Sequence, residues 1–83
     1  MMKIRYRLTD HLRDSGLQDV KLTFAELEQI FDETFPASAR KFNAWWSNNP
    51  SNNPRTHAWL DAGYATSDLD LVNETVLFTK SSN

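Results

Sequence analysis

The sequence predicts an α+β domain, with three to four short helices and a small antiparallel sheet that ends in a C-terminal hairpin. Three observations carry this. Apolar residues recur at helical spacing from Phe24 to Phe31 and again from Ala39 to Trp46. After Gly63 the pattern changes to strand-like alternation. Finally, 83 residues hold only one hydrophobic core. All elements must therefore share it, in a single domain over 1–80 with residues 81–83 as a frayed tail.

The elements follow in order. Ile4, Tyr6 and Leu8 alternate with Lys3, Arg5 and Arg7 as in a strand, whereas Leu8 and Leu12 have helical spacing. The reading is an extended entry, then a helix near 7–14 with Gly16 just past its end. Val20 and Leu22 around Lys21 make a brief strand. Thr23-Phe24-Ala25-Glu26 fits a capping box, flanked by Leu22 and Leu27 for a hydrophobic staple. It opens a helix over 24–32 that turns Leu27, Ile30 and Phe31 inward and leaves Glu26, Glu28 and Gln29 in water.

Phe35-Pro36 interrupts the chain. Over 37–48 the spacing predicts a helix with Ala39, Phe42, Trp45 and Trp46 on one side. A step of 100° per residue sets Arg40, Asn43, Ala44 and Ser47 opposite, with Lys41 and Asn48 flanking. A polar loop leads to Asn53-Pro54, the N-cap and first position of a last helix near 54–62 that carries Trp59 and Leu60 and stops at Gly63. Ala65, Ser67, Leu69 and Leu71 alternate with Thr66, Asp68 and Asp70, and Thr75 to Thr79 is rich in strand formers. Val72-Asn73-Glu74 is the turn between them. A hairpin alone is unstable, so the strand near Val20 joins it as a third. The expected core is Leu27, Ile30, Phe42, Trp46, Trp59 and Phe78.

Composition narrows the function classes. The chain has no cysteine, which excludes disulfides and thiolate metal sites and favours a reducing compartment. The first residues lack the apolar run of a signal peptide, and nowhere do 18 apolar residues run together. The expectation is a cytoplasmic protein with no membrane partner. A net charge of −2 argues against strong nonspecific binding of polyanions. The charges are nonetheless uneven, with cations at Arg40, Lys41 and Arg55 beside His57, and acids at Glu26, Glu28, Asp32 and Glu33.

The order helix, strand, two helices, extra helix and hairpin resembles the winged helix-turn-helix fold. That resemblance makes the 37–48 helix the recognition helix and the 64–80 hairpin the wing, and the helix near 54–62 is a departure from it. A more specific pattern runs through nearly the whole chain. Leu22-Thr23-Phe24-x-Glu26-x-Glu28 is followed by Pro36-x-Ser38-Ala39-Arg40, Trp45-Trp46-x-Asn48 and Ala58-Trp59-Leu60-x-Ala62-Gly63-Tyr64. It resembles an uncharacterised family of small bacterial and phage domains. That family often has proline where Arg7 stands, which leaves the start of the first helix open. The resemblance supports the domain and implies no activity.

Arg40, Asn43 and Ser47 are the most suggestive polar set. Arginine pairs bidentately with guanine, asparagine with adenine, and serine with phosphate. Lys41, Asn48, Arg55 and His57 extend the set into an expected nucleic-acid-binding edge, although an ordinary solvated face accounts for the same residues. Trp45, Trp46 and Trp59 have the residue type of base-stacking platforms, but their spacing with Phe42 and Leu60 favours core packing, with Trp45 the most exposed. His11 and His57 stand without a second ligand at helical spacing, and Asp10 and Asp14 beside His11 do not complete a metal site. Asp68-x-Asp70 with Glu74 and Lys80 loosely matches nuclease carboxylates, yet alternation puts both aspartates on the solvent side. No catalytic constellation, metal or cofactor is expected. The reading is a non-catalytic binding domain, with DNA as the first partner. The alternative is a protein-binding adaptor or inhibitor using the acidic residues at 26–33.

Overall fold

The computed structural model describes residues 5–51 and 53–81, with the side chains of Arg5 and Tyr6 excepted. It is an α+β domain of four helices and one three-stranded antiparallel sheet among the described residues. Helix α1 spans Arg5–Ser15, strand β1 Asp19–Thr23 and helix α2 Phe24–Phe31. Helix α3 is one short turn, Ser38–Lys41, followed by a 3-10 turn at Asn43–Trp46. A second 3-10 turn at Pro54–Thr56 runs into α4, His57–Leu60, and the hairpin is β2, Tyr64–Asp70, with β3, Thr75–Lys80. The strand order is β1-β3-β2, so the strand near Val20 does join the hairpin, on the far side of β3.

Local chemistry explains the well-placed elements. At the start of α2, Thr23 Oγ1 accepts from the Glu26 N–H at 3.0 Å, and the Glu26 carboxylate accepts from the Thr23 N–H at 2.9 Å. Both halves of the capping box are therefore made. Asp32 closes the helix in the left-handed region, at φ 55°. Asn53 caps the last helical segment by accepting from the Arg55 N–H, with Pro54 at the first position. The first helix begins at Arg5 rather than near residue 7, so the expected extended entry does not reach Arg5–Arg7. The rest of that entry lies outside the described residues, as do residues 82–83 of the expected tail. Ser81 prolongs the sheet by donating to the Gly63 carbonyl at 2.7 Å.

One expected element is overturned. The continuous helix over 37–48 breaks at Phe42, which is extended at φ −122°, ψ 125°. In an unbroken helix the Ala39 carbonyl would accept from Asn43. Here it accepts from the Trp46 indole at 2.6 Å. The break lets Trp46 stack on Phe24 at 4.6 Å and lie near parallel to Trp59 at 6.4 Å, while Trp45 packs against Phe35 at 5.0 Å. Regular helix would hold the two adjacent indoles about 100° apart. The same kink carries Phe42 out of the core, and it is 60% exposed.

The core otherwise follows the expected list. Leu27, Trp46, Trp59 and Phe78 are buried, joined by Leu8, Leu12, Phe24 and Val76, and Ile30 is partly buried against them. Trp45 is the most exposed indole, as its position at the edge of the stripe predicts. Helix α4 is fastened to α1 by Thr9 Oγ1, which donates to the Ala58 carbonyl at 2.7 Å, and by Arg13, which donates to the Asp61 carbonyl at 2.7 Å.

Candidate interaction surface

Arg40 leaves α3 pointing at acids rather than at solvent. Its guanidinium donates to the Glu28 carboxylate at 3.0 and 3.3 Å and to Glu74 at 3.1 Å, and it stands 5.8 Å from the centre of the Phe24 ring. One side chain thus ties α3 to α2 and to the hairpin turn. Glu74 sits in that turn at φ 56°, and its carbonyl accepts from the Phe24 N–H at 2.8 Å. The Arg40 hydrogen bonds, helped by the Phe35 N–H at 2.6 Å, hold the Glu28 carboxyl below its ordinary value. Glu28 is therefore a mostly covered partner and not the solvated acid that helical spacing implies.

Arg55 is engaged in the same way. It pairs with both carboxylate oxygens of Glu33, and its guanidinium lies 5.4 Å from the centre of the Trp45 ring and 6.0 Å from that of Phe35. Asn48 bridges inward as well. Its Oδ1 accepts from the Trp59 indole at 3.0 Å and from the Thr66 N–H at 2.9 Å, and its Nδ2 donates to the Thr66 carbonyl at 3.1 Å. It satisfies a buried indole that would otherwise lack an acceptor.

The remaining expected residues differ in exposure. Lys41 and Asn43 are exposed on either side of Phe42, Ser47 is half-buried past the 3-10 turn, and His57 is exposed at the start of α4. The acidic side is also occupied. Glu26 caps its own helix, and Glu28 and Glu33 hold Arg40 and Arg55. The basic and acidic groups that sequence sets apart are, in large part, partners in one internal interface.

Two surface features remain around the kink. Phe42 stands beside a cleft of about 330 Å³ shared with Ser38, Ala44 and Trp45. A groove of about 320 Å³ runs between the 3-10 turn and β2, lined by Asn43, Trp46, Ser47, Thr66, Ser67, Asp68 and Leu69. Neither was marked by sequence, because both arise from the break at Phe42. The carboxylates at 68–74 do not converge. Asp70 accepts from the Val72 and Asn73 N–H groups and from the Asn73 amide, which lower its pKa with Asn73 leading, while Glu74 faces Arg40. Among the described residues no group of three or more His, Asp or Glu side chains is placed to hold a metal ion. No helix there is long and apolar enough to cross a membrane.

These features define a small α+β domain with an internally neutralised charge network and an exposed aromatic at a helix break. A family model described as "Domain of unknown function (DUF7662)" matches residues 6–82, and the chain belongs to that family. No curated protein matches the chain. No solved structure matches it either.

Proposed function

We propose that this is a non-catalytic protein-binding domain that meets its partner through Phe42 and the neighbouring groove. The observation that carries the reading is the contrast within one segment. Phe42 is held in solvent by the break, whereas Arg40 and Arg55 are tied to Glu28, Glu74 and Glu33. Nucleic-acid affinity rests on cations free to neutralise phosphates. Protein interfaces instead concentrate their energy in a few aromatic anchors. The acidic 26–33 face of the adaptor expectation is thereby replaced by the kink. A cytoplasmic setting in a bacterium or phage-infected cell belongs to the same proposal, resting on the absence of cysteine and the family resemblance.

A second reading, duplex DNA binding by a winged helix-like domain, is favoured by the strand order β1-β3-β2 and by exposed Lys41 and Asn43 near α3. A photo-crosslinking benzoylphenylalanine at position 42 separates the two. Irradiation in a lysate of the source cell is expected to give a discrete protease-sensitive adduct. The same probe at Leu17, which is similarly exposed, should give none. A nuclease-sensitive adduct at position 42 would transfer the assignment to DNA, and identical adducts at both positions would refute a specific surface.

A further inference from the structure

We infer that the groove beside β2 takes an extended, basic segment of a partner protein, which adds to the sheet as a fourth strand. This rests on the protein-binding reading and specifies its partner. The parity of the ladder decides which backbone groups of β2 face outward. Lys80 donates to the Gln18 carbonyl and Phe24 to the Glu74 carbonyl, so the even-numbered residues around β3 turn their backbone groups toward β1. The odd-numbered Thr75, Leu77 and Thr79 then face β2, where their partners are Asp70, Asp68 and Ala65. Thr66 and Leu69 consequently direct their N–H and C=O groups outward, away from β3.

The outward pair of Thr66 is already filled. The Asn48 side-chain amide accepts from its N–H and donates to its carbonyl, as the backbone of a neighbouring strand would. Leu69 has no such partner among the described residues, and its edge opens into the groove lined by Asn43, Ser47 and Asp68. The bulge at Ser67 and the Asn48 amide blunt the first half of this edge. The second half is left able to pair. Strand addition of this kind draws affinity from the main chain and selectivity from alternate side chains.

Charge selects the occupant. Asp68 lines the groove, is exposed, and has no ion-pair partner among the described residues. A second copy pairing antiparallel through β2 would bring two such edges together, and like charges facing across strands are destabilising. A partner strand with lysine or arginine opposite Asp68 is complementary.

The test uses the full chain and a phage-displayed random nonapeptide library. The enriched peptides should alternate apolar and basic residues. Bound to the protein, they should slow hydrogen exchange of the Leu69 amide tenfold or more. Asp68→Lys should reverse the charge preference, weakening the basic peptides by about tenfold while leaving the thermal melt near that of the parent. Peptides that shift Phe42 resonances but leave Leu69 exchange unchanged would overturn strand addition and leave the protein-binding reading standing. Failure to enrich any peptide would also overturn it. A nuclease-sensitive adduct at position 42 would instead remove the underlying reading.

Discussion

At the scale of single residues, Arg40 sets the pattern. It joins three elements through Glu28 and Glu74, so truncating it strands a mostly covered carboxylate. Partial exposure of all three groups screens the interaction, and Arg40→Ala should cost about 1–2 kcal/mol in chemical denaturation. The pair also has a pH signature. The folded state holds the Glu28 pKa below its ordinary 4.5, so the stabilisation is complete above that value and is lost as pH falls through the depressed one. The melting-temperature gap between the parent and Glu28→Gln should therefore be steady near neutral pH and close as pH drops from about 5 toward about 3. A gap independent of pH would exclude the ion pair as its cause. Asn48→Ala should destabilise by about 1–3 kcal/mol, because the buried Trp59 indole loses its acceptor. None of these pairings is legible in sequence. Glu28 and Arg40 are 12 residues apart and Arg40 and Glu74 are 34 apart, on elements whose local patterns are unrelated.

At the scale of elements, legibility follows how local the determining chemistry is. The capping box places α2 to the residue at its start because both of its hydrogen bonds lie within four residues. Thr23→Ala should accordingly cost about 1 kcal/mol by thermal or urea unfolding. The 37–48 segment reads as one helix because Ala39, Phe42 and Trp46 share a helical face, and that spacing is real. What breaks it is a tertiary demand, since Trp46 must fit between Phe24 and Trp59 and take the Ala39 carbonyl. The consequence is a measurable inversion. Trp46→Ala should cost about 3–5 kcal/mol and unfold so small a domain, while Phe42→Ala should stay within about 0.5 kcal/mol of the parent. Equal costs for the two substitutions would restore the unbroken helix.

At the scale of the whole molecule, the charges that appear as two opposing surfaces close on each other. Arg40 with Glu28 and Arg55 with Glu33 fasten the 37–57 region to α2 and the loop after it. The residue types for nucleic-acid contact are present in the sequence, but their directions depend on the packing of distant elements. The exposed Phe42 and the open edge at Leu69 follow from that same packing. The most direct test is nuclear magnetic resonance of the arginine side-chain Nε–H signals during titration with duplex DNA at low salt. Internal ion pairing predicts sharp, slowly exchanging Arg40 and Arg55 signals that do not move as DNA is added. Saturable shifts of both signals, accompanied by retardation of the duplex, would contradict it and return these arginines to a DNA-binding face.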